Sequence, residues 1–72
     1  MKLIDFFAGV ARFETDAGST ERLLDILMKA RLVYRDLSVT DGRCVLYCTL
    51  RTAKRLAALC VSAGIDASFR VI

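Results

Sequence analysis

No histidine occurs anywhere in the chain. The residue that most often serves as a general base near neutral pH, and that most often ligates transition metals, is therefore missing, and ordinary acid-base catalysis loses its usual carrier. The cysteines do not make up for it. Cys44, Cys48 and Cys60 are an odd number with no close CxxC pair, which argues against a disulfide framework and against a zinc ribbon. If Cys44 and Cys48 share one face of a strand, they stand about 13 Å apart, too far to bridge or to hold one ion. Three reduced thiols in the core are the expectation.

Long hydrophobic runs are also lacking. The hydrophobic share of 56% and the mean hydropathy of +0.46 are high for a chain of 72 residues. Even so, the longest uncharged stretch, Leu56 to Ile65, falls far short of the roughly 20 residues a membrane-spanning helix needs. The opening MKLIDFFAGVARF is interrupted by Asp5 and runs into no clean small-residue cleavage site, so no signal peptide and no export are expected. Charge is not gathered in one block: 11 Lys and Arg against 8 Asp and Glu give +3, spread along the chain, a weak pointer to nucleic acid. A core this small is marginal by itself, which makes support from a partner, a membrane or a neighbouring domain an expectation of the length alone.

What is present is organised around Tyr34 to Thr49, YRDLSVTDGRCVLYCT, two runs of β-favouring residues joined through Asp41-Gly42. Asp-Gly suits the two central positions of a type I′ turn, both of which require positive φ, and predicts a hairpin. Leu37 and Val39 form the apolar row of its first strand, and Cys44, Leu46 and Cys48 that of its second. Before the hairpin, Leu3 to Phe7 is apolar with one acid, and Val10 to Thr15 alternates as a strand with Ala11 and Phe13 on one side and Arg12 and Glu14 on the other. Asp16-Ala17-Gly18-Ser19 reads as a turn, with Ser19 as N-cap and Glu21 in the first turn of a helix over Thr20 to Arg31. The capping-box acid is missing, since Arg22 stands in its place. Leu23, Leu24, Ile26, Leu27 and Ala30 form that helix's core stripe, while Lys29 and Arg31 suit its negative end. After the hairpin, Thr49 caps a second helix with Ala53, Leu56, Ala57, Cys60 and Ala63 inward and Arg51, Lys54 and Arg55 outward, closed by Gly64. Ile65 to Ile72 alternates once more, with Ile65, Ala67, Phe69 and Val71 on one side.

The order β-α-β-β-α-β, with amphipathic helices and half-apolar strands, predicts one ferredoxin-like domain of the α+β class over residues 1–72: a four-stranded antiparallel sheet in order 4-1-3-2 with both helices on one face. The uncovered face should then collect Val10, Arg12, Glu14, Asp36, Ser38, Val45, Tyr47, Ser68, Arg70 and Ile72. Within it, Tyr47 and Val45 between Arg12 and Arg70 form the candidate interaction surface, because aromatic and arginine residues are enriched in interfaces. An ordinary half-solvated sheet face is the plainer alternative. The outer strands, second and fourth, compete as sites, since either can recruit a second copy into a homodimer.

Other uses of the fold fit less well. RNA-recognition modules stack bases on aromatics of the central strands, and here Tyr47 stands alone with Arg12 where a second aromatic is needed. No nucleic-acid partner is expected. Metal carriers of this topology use a CxxC in the loop before the first helix, which here reads Asp16-Ala17-Gly18-Ser19. No cofactor, no metal and no catalytic residue is expected. A ligand-sensing or dimerising domain stays open as the alternative function, with an RNA-binding module behind it.

Phe6-Phe7-x-Gly9, Glu21-Arg22-Leu23-Leu24, Asp36-Leu37, Arg55-Leu56 and Gly64 together resemble the amino-terminal region of the YqfD sporulation proteins, over essentially the whole chain. One departure falls in the second strand, where the pattern has an aromatic immediately before the aspartate and this chain has Arg35, with Tyr34 one place earlier. What the resemblance implies is a non-enzymatic interaction or scaffold domain acting in endospore formation. It further implies the cytosolic head of a longer membrane protein, on the mother-cell side, with a protein partner and with membrane attachment through segments outside this chain. It implies no active-site residues.

Overall fold

The computed structural model describes residues 9–72; Leu3 to Phe7 and the Phe6-Phe7 pair lie outside the described residues. Strand β1 (Val10–Asp16) leads through a short 3-10 turn (Ala17–Ser19) into helix α1 (Thr20–Lys29), followed by β2 (Arg35–Thr40), β3 (Arg43–Thr49), helix α2 (Leu50–Ser62) and β4 (Ala67–Val71). All the strand pairs are antiparallel and the sheet order is β2-β3-β1-β4, the α+β split βαβ arrangement expected from the order of elements. No helix among the described residues is long and apolar enough to cross a membrane.

Each element is placed by its alternation. Ala11, Phe13, Cys44, Leu46 and Cys48 come from one sheet face, Leu23 and Leu27 from α1, and Ala53, Leu56 and Cys60 from α2, and with Ile65 they make one buried cluster. Phe13 and Phe69, direct partners across β1 and β4, stack with ring centroids 6.3 Å apart. All three cysteines are free and buried in this layer, and desolvation pushes the Cys48 and Cys60 thiols up from their ordinary value.

The hairpin turns as its dipeptide dictates: Asp41 and Gly42 take φ of 51° and 74°. Thr49 caps α2 by accepting the Thr52 N–H at 3.2 Å. Ser19 does not act in the same way at α1. The 3-10 turn holds it at ψ 5°, away from the extended conformation that a capping hydroxyl needs, and its Oγ instead donates to Asp16 Oδ1 at 3.0 Å.

Both helices end in the same device. In α2 the Gly64 N–H bonds Val61 C=O at 3.1 Å and the Ile65 N–H bonds Cys60 C=O at 2.8 Å, the paired bonds of a Schellman motif, with Gly64 at φ 74°. This use of Ile65 in the cap is why β4 starts at Ala67, two residues later than alternation alone indicated. In α1 the Arg31 N–H bonds Met28 C=O at 3.2 Å and the Leu32 N–H bonds Leu27 C=O at 3.0 Å, so Arg31, expected in the last turn, stands just past it at φ 57°. A side-chain-bearing residue in that region costs about 1–2 kcal/mol. Arg31→Gly is therefore expected to stabilise the domain by about 0.5–1 kcal/mol, a rise of a few degrees in melting temperature. A scan showing a lower melting temperature would contradict that assignment.

Candidate docking face

The sheet face turned away from the helices carries one row of residues that spans all the strands. Tyr47 on β3 sits directly opposite Arg12 on β1, Arg12 opposite Arg70 on β4, and Tyr47 on its other side opposite Arg35 on β2. Adjacent strands lie about 4.8 Å apart, so the row Arg35, Tyr47, Arg12, Arg70 runs for roughly 14 Å. Three of the four predicted surface residues, Arg12, Tyr47 and Arg70, are thus brought into register, with Tyr47 and Arg12 half-buried and Arg70 exposed.

Val45, the fourth, does not offer the surface expected of it. It is only 7% exposed, although it lies on this face between Ser38 and Glu14. Glu14 directly opposite it accepts from both Arg12 and Arg43 at 2.6 Å. Arg43 starts two positions before Val45 on the same face, so the arginine stems drawn to Glu14 run beside the valine, and apolar stems of this kind shield such a residue.

Arg35 is the member that alternation missed. The pairing passes from Arg35↔Tyr47 to Ser38↔Val45, three steps on β2 against two on β3, so β2 holds one extra residue there. Asp36 takes φ 54° within this bulge. The extra residue reverses the parity of everything before it: Arg35 joins the open-face row in place of Asp36, which unbroken alternation had put there. A signal was available. Counting back by twos from Val39 and Leu37 places Arg35 among the core positions, where an unpaired charge is prohibitive, and Asp next to it is one of the few residues that tolerates a left-handed backbone.

A recess of about 260 Å³ opens at the Arg35 end of the row, lined among others by Val33, Tyr34, Arg35, Tyr47 and Thr52. Tyr34 is 37% exposed there. Tyr34 and Tyr47 therefore flank Arg35 at one end of the face.

The charges on this face are unevenly satisfied. Arg12 and Arg43 share Glu14, whereas Arg35 and Arg70 have no ion-pair partner among the described residues. Arg70 also stands directly across from Arg12, a like-charge pairing that a sheet ordinarily avoids. The Glu14 carboxylate is held below the ordinary glutamate range chiefly by the Arg43 hydrogen bond, which outweighs the desolvation acting in the other direction; the guanidinium charges of Arg43 and Arg12 add to the lowering.

A group with a depressed folded value contributes stability above its unfolded value and loses it as pH falls through the folded one. The gap in melting temperature between wild type and Glu14→Gln should accordingly be constant near neutrality and shrink as pH drops below about 4.5. A gap unchanged down to strongly acid pH would show that the charge of Glu14 in the Arg12–Glu14–Arg43 cluster does not bear on folding.

Comparison with protein-family models, with curated proteins and with solved structures returned no match. The chemistry of the face is consequently read from its own residues. It has the means to bind: a planar aromatic, donor forks at fixed spacing and unneutralised positive charge.

Proposed function

We propose that this chain is a non-enzymatic docking domain that presents its open sheet face to an acidic segment of a protein partner, within a membrane-anchored protein acting in endospore formation. The observation that carries the docking half is the Arg35–Tyr47–Arg12–Arg70 row, in which Arg35 and Arg70 have no ion partner among the described residues and Arg70 faces Arg12. A sheet tolerates such an arrangement at a cost in stability, and carboxylates arriving between Arg12 and Arg70, or beside Arg35, would relieve it. Tyr47 at the middle supplies the rigid, half-buried aromatic around which interface energy tends to concentrate.

Endospore formation, attachment to the cytosolic side of a membrane in the mother cell, and the absence of an enzymatic role rest on the resemblance to the YqfD proteins. That resemblance is carried within the described residues by Glu21-Arg22-Leu23-Leu24, Asp36-Leu37, Arg55-Leu56 and Gly64. The first of these motifs opens α1, the second forms the β2 bulge, and Gly64 closes α2, so the shared residues fall where the fold has local requirements. Arg22 reaches across to donate to the Ala63 carbonyl at the end of α2, tying the first motif to the last.

A pull-down from solubilised membranes of sporulating cells tests the reading directly. Wild-type domain should enrich a partner that Tyr47→Ala recovers at least about tenfold less, the loss of one central anchor. Arg35→Glu with Arg70→Glu should remove it altogether. Equal recovery by variants whose circular dichroism and melting curves match wild type would reject the open face as the docking site.

A further inference from the structure

β4 is an outer strand of the sheet, paired on one side by β1. The Ile72 N–H donates to Val10 C=O at 2.8 Å. Because backbone groups alternate sides along an antiparallel strand, Arg70 and Ser68 also direct theirs toward β1, and those of Ala67, Phe69 and Val71 point to the free side. No strand among the described residues meets them. The opposite edge is different in kind: β2 carries the bulge at Asp36, with its left-handed φ of 54° and its buried-face parity reversed midway, which bends and twists an edge away from flat pairing. β4 has no such interruption in its register with β1.

We propose that β4 pairs antiparallel with β4 of a second copy of this chain, centred on Phe69, to build one continuous sheet. Three ways of centring the pair can be compared by what they set opposite each other. Centring on Arg70 places that arginine against its own copy, a direct like-charge contact. Centring on Ser68 sets Val71 against Ile65, which is 4% exposed and whose N–H is committed to Cys60 C=O. Centring on Phe69 uses the whole strand. Ala67 then meets Val71 and Arg70 meets Ser68, and of the two diagonal neighbours of Arg70 in the second copy Asp66 complements its charge while the other Arg70, no longer directly opposite, stands farther off than in the Arg70-centred pairing.

On the core side, Phe69 comes against Phe69 and extends the existing Phe13–Phe69 stack across the interface. Val71 is 56% exposed in the single chain and finds an apolar neighbour in Ala67. The two-fold axis runs perpendicular to the sheet, so the helices of both copies stay on one side. The arginine rows then lie on the other, as one surface twice as wide.

Proline substitution separates the two edges. Ala67 is the first residue of β4 and its N–H points outward, so Ala67→Pro removes no bond to β1 but blocks the added strand. Val39 sits between Ser38 and Thr40 on β2, and Val39→Pro does the same at the other edge. Sedimentation velocity on the full chain, in a concentration series reaching the millimolar range, should show a monomer–dimer equilibrium. Ala67→Pro should weaken it by about tenfold or more, through the hydrogen bonds lost in both copies, and Val39→Pro should leave it unchanged.

A second measurement does not depend on the proline variant folding. Ser68 and Arg70 face each other across the proposed interface, so the double variant Ser68→Cys with Arg70→Cys should form a reducible covalent dimer on mild oxidation, the native cysteines being buried. Wild type that stays monomeric at every concentration, dimerisation lost in Val39→Pro but kept in Ala67→Pro, or no covalent dimer from the double variant would each overturn the proposal.

Discussion

Phe13→Ala is expected to remove between about a quarter and all of the free energy that holds the domain folded. The ring is fully buried at the middle of β1, faces Leu46 across β3 and Phe69 across β4, and stacks on the latter at 6.3 Å. Truncating a buried phenylalanine to alanine costs about 3–5 kcal/mol. A domain of this length has of the order of 4–11 kcal/mol in total, at roughly 0.05–0.15 kcal/mol per residue. One substitution therefore consumes about a quarter of the stability at best and all of it at worst. Phe13→Leu keeps most of the volume and should cost about 1–2 kcal/mol. Urea unfolding followed by circular dichroism distinguishes these outcomes; a cooperative transition in Phe13→Ala with the wild-type midpoint would mean that the core is not centred on β1. The consequence reaches the docking face as well. Phe13 lies between Arg12 and Glu14 in sequence, so its seat in the core fixes the backbone from which the ion cluster projects.

Much of this architecture was legible because the informative residues are ones whose local chemistry admits few alternatives. Asp41-Gly42 between two alternating runs can close a type I′ hairpin and little else, Thr49 ahead of an apolar stripe caps a helix, and Gly64 after it closes one. Once those punctuation marks are placed, the order of elements leaves few topologies, and the cross-strand register follows. That is how Arg12, Tyr47 and Arg70 could be placed on one open face from the sequence, while their alignment in a single row comes from the register of the pairs.

The misreadings have a common origin: each involves an ordinary residue in a conformation or environment that its type does not announce. Arg31 performs the closing role that glycine performs in α2, and nothing in an arginine signals φ 57°. Asp36 takes up an extra residue in β2, and one inserted residue moves Arg35 from the core side to the open face. Val45 obeys the alternation and faces outward, yet is only 7% exposed where it stands opposite Glu14 and the arginines that Glu14 gathers, a tertiary ion pairing that one-dimensional spacing does not contain. Ser19 fails as a cap because the preceding 3-10 turn dictates its backbone. Of these, Arg35 matters most for the proposed docking, since it ends the arginine row with no ion partner among the described residues and forms part of the wall of the recess beside Tyr34.

Replacing Gly42 with valine should lower the melting temperature more than any other single change in the loops. Gly42 holds φ 74° as the second central residue of the turn, where a β-branched side chain is strained whatever surrounds it. No atom of the described residues stands within 4 Å of where a Cβ would be placed, so the penalty is conformational rather than one of crowding. That penalty is about 2–3 kcal/mol, and for a domain of this size it translates into a fall of roughly 10–20 °C. The turn also anchors the start of the fold, because the Ala17 N–H donates to the Gly42 carbonyl at 2.9 Å, joining the hairpin tip to the segment that leads into α1. Strain at Gly42 therefore loosens both. Gly42→Asn provides the discriminating control, since asparagine accepts a left-handed backbone at small cost: it should melt within a few degrees of wild type while Gly42→Val does not. If the two variants melted together, whether both high or both low, positive φ at Gly42 would not be what holds the β2–β3 hairpin in its register.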